Sequence, residues 1–254
     1  MPSHFTWNIA FHSGFTADSD LQAALDVGIA IGVVSDRVTL RQQLRSLPDH
    51  LDRGGKVFVD SGAFTAFRRQ LAMDWPKVPT LYRALCTTTI RPENLSIIAP
   101  DVVGDQQATL LLWHRYAQDI RSWIDAGARI IIPLQAGLLS AGEVLQEAIG
   151  LLGTKAFCAG IPSNLAAMTA ADCRTLAHDD FHILGRVVMT DELRDKVHAM
   201  LTRNTGATIS SHANWLRSRT KAAWMRGMFV SNSDFTVKGL NAFGSGEKSS
   251  VWMA

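Results

Sequence analysis

Two aspartates, each closing a short apolar run, are the residues of this 254-residue chain best suited to do chemistry. Asp60 follows Val57-Phe58-Val59 and opens the segment Asp60-Ser61-Gly62-Ala63-Phe64, and Asp101 follows Ile97-Ile98-Ala99-Pro100. A carboxylate at the end of a buried strand is partly desolvated. Two of them converging on one pocket push their pKa values apart, which suits one to acid work and the other to nucleophilic or base work. Asp60 also has a plainer reading as a cap for the helix that follows it. Gln135, in Pro133-Leu134-Gln135-Ala136-Gly137, carries a donor and an acceptor side by side and is suited to an amide or a purine edge. Glycines in these segments, Gly62, Gly137 and Gly160 among them, let backbone approach a ligand closely.

The eighth apolar run ends in Ser210-Ser211-His212, which makes Ser211 and His212 further candidates for a catalytic role. His12 and His182 also fall in or at the end of apolar runs, where a hydrogen-bonded core histidine is the favoured reading. No pair of histidines has HExxH spacing, and Cys86, Cys158 and Cys173 are too far apart for a zinc pattern, so no metal site is expected. Neither GxGxxG nor GxxxxGK[ST] occurs where a nucleotide cofactor would need it, and no cofactor is expected. From Lys196 to Ser233 there is no Asp or Glu. Within that stretch Trp215–Arg226 interleaves Arg217, Arg219, Lys221 and Arg226 with two tryptophans. That mixture suits a phosphate backbone with stacked bases, and equally a solvated helix whose indoles pack inward.

These residues need a frame that brings strand ends together. Short runs rich in Val, Ile and Phe predict strands at Thr6–Phe11, Gly28–Val34, Lys56–Asp60, Leu95–Pro100, Arg129–Leu134, Ala156–Gly160, Phe181–Gly185 and Ala207–Ser211. They do not strictly alternate polar with apolar, as expected of parallel strands covered on both faces. Between them lie helical patterns. Thr39–Leu51 carries Leu40, Leu44, Leu47 and Leu51 at spacings of three and four, and Gln107–Ala126 carries Leu110, Leu111, Tyr116, Ile120 and Ile124 before Gly127. Ser140–Leu152 opens with Ser140 and Glu143 in capping-box spacing, and Thr190–Leu201 opens on Thr190.

Eight strands alternating with helices predict an α/β fold, a single (β/α)8 TIM-type barrel over residues 1–232. The connection from Ala66 to Asn94, after strand 3, exceeds what one helix needs and is expected to hold a lid or an inserted hairpin. A Gly- and Ser-rich tail, residues 233–254, is expected to be loosely ordered. In such barrels reactive groups sit at the C-terminal ends of strands, where Asp60, Asp101, Gln135, Gly160 and His212 all fall.

Hydrophobic residues at 47% and charged residues at 19% exclude a disordered chain, and a net charge of +2 does not announce a nucleic-acid partner by itself. The N-terminus lacks a basic segment followed by an apolar run, and no apolar run reaches membrane-spanning length. With three widely spaced cysteines, a cytoplasmic protein without a membrane partner is expected.

The segment Asp60-Ser61-Gly62-Ala63-Phe64 resembles the Asp-Ser-Gly-Gly/Ala-Phe motif of the tRNA-guanine transglycosylase superfamily, most closely its DNA 7-deazaguanine transglycosylases of the DpdA type. Asp101, the Gln135 strand end and Ala159-Gly160-Ile161 follow in that family's order. The resemblance implies a barrel that replaces guanine in nucleic acid, DNA or tRNA, with a 7-deazaguanine base by glycosyl transfer at C1′. It implies that Asp60 stands beside the purine as acid or base and that Asp101 and Gln135 read the purine edge. Ser61, Gly62, Phe64, Gly160 and Ile161 would complete the base pocket. Two departures count. The family's nucleophilic aspartate after the last strand is replaced here by Ser211-His212, so Asp60 takes that role, Ser211 or His212 acts differently, or exchange gives way to hydrolysis or to binding alone. The zinc subdomain of the tRNA enzymes has no counterpart, which favours DNA or a smaller substrate. The oligomeric state and any partner subunit stay open.

Overall fold

Runs such as Val57-Phe58-Val59 and Ile130-Ile131-Ile132 combine branched and aromatic side chains that pack well on both faces of a pleated strand. In the computed structural model, which describes residues 8–13, 15, 18–164, 166–185 and 190–213, eight such runs pair in parallel and close on themselves. The strands are β1 (Asn8–His12), β2 (Ile31–Val34), β3 (Val57–Asp60), β4 (Leu95–Ile98), β5 (Arg129–Pro133), β6 (Cys158–Pro162), β7 (Asp180–Leu184) and β8 (Thr208–Ala213). Each neighbours the next in sequence, and β8 pairs with β1. Every expected strand is present, the largest end displacement being from Gly28 to Ile31. The chain is an α/β protein with a TIM-type barrel.

The helices that cover it are α1 (Asp18–Val27), α2 (Leu47–Asp52), α3 (Ala63–Arg69), α4 (Lys77–Thr88), α5 (Gln106–Asp125), α6 (Ala141–Leu152), α7 (Ala170–Cys173) and α8 (Asp191–Arg203). Their starts follow the chemistry of the sequence. Ser140 and Glu143 form a reciprocal capping box on α6, Thr169 and Asp172 form another on α7, and Thr190 caps α8. The connection after β3 contains no hairpin. It holds α3 at the barrel mouth, then α4, whose Val78, Leu81, Tyr82 and Leu85 are buried at helical spacing.

Two expected helix faces are corrected. Leu47 and Leu51 are buried, whereas Leu40, ahead of the π-helical turn Gln42–Ser46, and Leu44, within it, are exposed, since the wider turn breaks the spacing of three and four. On α5 the buried stripe is Thr109, Trp113, Tyr116, Ile120 and Trp123, and Leu111 lies opposite it in solvent.

Outward-facing strand residues such as Val59, Ile97, Ile132, Ile161 and Ile183 form one large core with the helices. Inside the barrel, Phe11, Ala30, Phe58, Ile98, Ile131 and Cys158 make a smaller cluster. Gly160 belongs to this interior. A Cβ there would stand 2.9 Å from Leu184 Cδ1, 3.0 Å from Ile131 Cγ2 and 3.2 Å from the Ile132 carbonyl. Gly160→Ala is therefore expected to cost about 1–3 kcal/mol, the usual range for overpacking, read as a lower urea midpoint at unchanged slope.

Candidate functional site at the strand ends

Parallel strands deliver their C-terminal ends to one rim, and there β3 ends in Asp60 while the chain leaves β4 and β5 through Asp101 and Gln135. Asp60 is half-buried, and its Oδ1 accepts the Gly62 N–H at 2.7 Å. Gly62 has φ +88°, a left-handed conformation that suits glycine, and it turns the chain into α3. Asp60 Oδ1 thus closes a turn ahead of α3 and does not cap it, for the N-cap is Gly62 and carries no side-chain cap bond. Ser61 is buried and works within the same turn: Oγ accepts the Ala63 N–H at 3.3 Å and its carbonyl accepts from Ser35 Oγ at 2.6 Å.

Asp101 is buried and its Oδ2 accepts Gln135 Nε2 at 2.9 Å. Burial pushes its carboxyl up to about 7, the Asp60 charge pushes the same way, and the Gln135 hydrogen bond opposes both. The two carboxylates therefore feel one another across the site. Tyr82, on α4 beneath them, is buried with its hydroxyl toward the Val59 carbonyl at 3.5 Å. Burial, then the charges of Asp60 and Asp101, raises the Tyr82 phenol well above its ordinary range.

Gln135 has a structural duty besides the expected one. Its Nε2 is given to Asp101 and its Oε1 accepts the Gly104 N–H at 3.0 Å, so the amide orients Asp101 and pins the loop after β4. Gln106 does the same for the Gln135 loop, donating Nε2 to the carbonyls of Gln135 and Leu139 and accepting the Leu139 N–H. The Gly160 carbonyl accepts the Leu134 N–H at 2.9 Å within the barrel wall. Ile161 and Ser211 face away from the barrel interior. Ile161 packs in the outer core, and Ser211, in register with Ile183, shares that outward parity and is fully buried. Ser211 is thus removed from the catalytic set. Phe64 is 54% exposed on the first turn of α3, at the rim rather than within a buried base platform. Arg217, Arg219, Lys221 and Arg226 lie outside the described residues, as does the tail.

His212 is brought in, and with it a polar column that sequence reasoning left in the core. Arg129, at the foot of β5, makes a bidentate pair with Asp180 of β7, Nε to Oδ2 and Nη2 to Oδ1, both 2.7 Å. Arg129 Nη2 also reaches Ser210 Oγ at 3.0 Å and Cys158 Sγ at 3.0 Å. Ser210 Oγ lies 2.9 Å from His182 Nδ1, and His182 Nε2 lies 3.0 Å from His212 Nδ1. The ring of Phe58 stacks on both histidines, with centroids at 5.4 and 4.8 Å. Burial lowers His212 below the ordinary histidine range, and the Asp60 charge pulls the other way. His12 follows the inward-facing Phe11, is itself buried, and is held by burial at about 4.

The Arg129–Asp180 pair is about one-quarter exposed. Arg129→Met leaves Asp180 without its partner and is expected to cost about 2 kcal/mol, between an exposed pair and a fully buried one. Arg129→Met combined with Asp180→Leu should recover most of that loss in urea unfolding. A double variant as unstable as the single one would assign the loss to packing instead. Lys196, buried on α8, is a further residue without a sequence signal: its Nζ donates to the carbonyls of Pro162, Ser163 and Asn164 and fixes the loop after β6.

Among the described residues no group of three or more His, Cys, Asp or Glu is arranged to hold a metal ion, and no helix is long and apolar enough to cross a membrane. Cys86, Cys158 and Cys173 are buried and unbridged. No protein-family model and no curated protein sequence matches the chain. Among solved structures it is similar to a xylose isomerase domain protein from Planctomyces limnophilus, with a TM-score of 0.51 and 11% identity, over 87% of this chain and 96% of that one. At that identity the likeness extends to the barrel fold and no further.

Proposed function

We propose that the mouth of the barrel exchanges a purine base at an N-glycosidic bond, guanine in nucleic acid giving way to a 7-deazaguanine. The observation that carries this reading is the pair of carboxylates of unequal character. Asp101 is buried, oriented by Gln135 and raised to about 7, so it holds a proton near neutral pH. Asp60 is half-buried, with Oδ1 fixed by the Gly62 N–H. Breaking a bond from C1′ to a purine nitrogen needs a proton for the departing base and a carboxylate to capture or stabilise the oxocarbenium-like sugar. Asp101 supplies the proton and Asp60 the carboxylate, which gives Asp60 the nucleophilic role. The five-residue resemblance around Asp60 supports a purine as the leaving group, and in a duplex that nucleotide would first be flipped out of the stack. DNA is the favoured polymer, the basic stretch Trp215–Arg226 being the candidate for its backbone.

One observation favours hydrolysis as the second reading: the end of β8 carries His212, next to its final residue Ala213, and no carboxylate, and an imidazole can activate water. The experiment incubates the protein with DNA and, separately, with tRNA, each with radiolabelled guanine or 7-deazaguanine bases. Label retained in the polymer supports exchange, and release of free guanine without retention supports hydrolysis. Neither outcome with either polymer, alongside a gel shift of DNA, would replace the enzyme by a binding module.

A further inference from the structure

The polarity of the hydrogen bonds inside the barrel can be counted. Ser210 has one hydroxyl hydrogen and two lone pairs. One hydrogen of Arg129 Nη2 serves Asp180 and the other, shared with Cys158 Sγ, points at one lone pair of Ser210, whose hydroxyl hydrogen goes to the Phe181 carbonyl 3.2 Å away. His182 Nδ1 is left the second lone pair, so it carries a proton. Burial, then the neighbouring His212 and Arg129, holds His182 well below the ordinary histidine range, so the ring is neutral. A neutral ring protonated on Nδ1 has a bare Nε2, which accepts from His212 Nδ1. The opposite polarity, with Ser210 donating to His182, forfeits the Phe181 bond. His212, at the strand end and only partly buried, therefore keeps its own proton on the side of His182. Its Nε2 is bare, on a ring that lies within the field of Asp60.

Resting on the glycosyl-transfer reading above, we propose that His212 Nε2 is the base that deprotonates the incoming nucleophile, with His182, Ser210 and Arg129 as positioning residues that hold it in the acceptor tautomer. In the second half of the reaction the N–H bond of the incoming deazapurine, or the O–H bond of water, breaks. Its electron pair forms the new bond to C1′ as the bond from C1′ to Asp60 breaks. The proton ends on Nε2, and the imidazolium faces the carboxylate just released. Asp101 has by then given its proton to the departing guanine, so the proton gained at His212 balances the one lost at Asp101, and exchange through solvent restores both.

The test has a spectroscopic arm that does not depend on activity. In 15N-histidine NMR of the full chain at pH 7.5, His212 is expected to be protonated on Nδ1 and bare on Nε2. Ser210→Ala and His182→Phe, which remove the anchor, should turn that signal into a mixture of tautomers. A wild-type His212 protonated on Nε2, or a tautomer unmoved in both folded variants, overturns the proposal. The kinetic arm follows label exchange at saturating DNA. His212→Phe is expected to lower kcat roughly a hundredfold and His182→Phe by a smaller factor, about two- to tenfold as the active tautomer is diluted, with KM within about twofold in both. Full kcat in folded His182→Phe overturns the positioning role. If the wild-type protein neither exchanges nor releases a base, the base role falls with the glycosyl-transfer reading, and the NMR arm alone then decides the tautomer.

Discussion

Asp60→Asn is expected to lower base exchange by about a thousandfold or more while the barrel stays folded, the scale seen when a nucleophile is removed. The choice of Asn separates two duties that any larger change would merge. Asp60 Oδ1 accepts the Gly62 N–H, and the amide oxygen of Asn can accept it equally, so the turn into α3 is retained. What Asn cannot supply is the negative charge that meets C1′. Stability within about 0.5 kcal/mol of wild type, beside a lost single-turnover release of guanine, would assign the residue to the chemistry. Asp60→Ala, by contrast, would lose the turn contact as well and report on both. If Asp60→Asn keeps more than a tenth of the wild-type rate, Asp60 is a turn residue and the proposed reaction loses its nucleophile. The same substitution also removes the charge that favours a protonated His212, so the His212 titration should move to lower pH.

How far the site was legible depends on which face of each strand is considered. The strands were legible because Val, Ile and Phe cluster in short runs bounded by polar turns, and the caps because Ser140 with Glu143 and Thr190 have side chains that bond backbone N–H groups. Asp60 and Asp101 stood out because each ends an apolar run. Ser211 misled because proximity to the strand end was weighed without parity. Ile209 and Ser211 share one face and Ser210 and His212 the other, so Ser211 had to follow Ile209 outward. The same parity contained the polar column: Asp180, His182, Ser210 and His212 occupy alternate positions, a period-two signal in just the two strands whose inner face is polar. Strands β4 and β5 mask that signal, since Ile97, Ile98, Ile131 and Ile132 are buried whichever way they point. The partners of Arg129 and Gln135 were not legible at all. They are set by the stagger of neighbouring strands and by loop geometry, which no local pattern encodes.

Asp101→Asn should make the protein more stable at alkaline pH and less active, and the two effects have one cause. The carboxyl titrates near 3.8 when exposed and at about 7 in the fold, chiefly because it is buried and secondarily because Asp60 is charged beside it. Between those values the folded state holds a proton that the unfolded state has released, so this residue's contribution to stability falls as pH rises from about 4 to about 7. Above that it stays at its least favourable, a penalty of about 4 kcal/mol for a shift of about three units. Asn carries no charge to desolvate, and its amide oxygen can still accept Gln135 Nε2. Urea unfolding should therefore find the two proteins alike near pH 4 and the variant more stable by about 3–4 kcal/mol at pH 8. Comparing variant with wild type at each pH cancels the other titrating groups. Activity should fall by about a hundredfold or more, because the departing purine loses its proton donor. The decline of the wild-type rate above pH 7 should vanish with it. A wild-type protein that gains stability relative to the variant on going from pH 5 to pH 8 would mean that Asp101 is ionised and paired in the fold. The acid would then have to be sought elsewhere. A stability difference of that size in urea would mark Asp101 as a carboxyl held protonated at a cost to folding, the property the proposed proton donor requires.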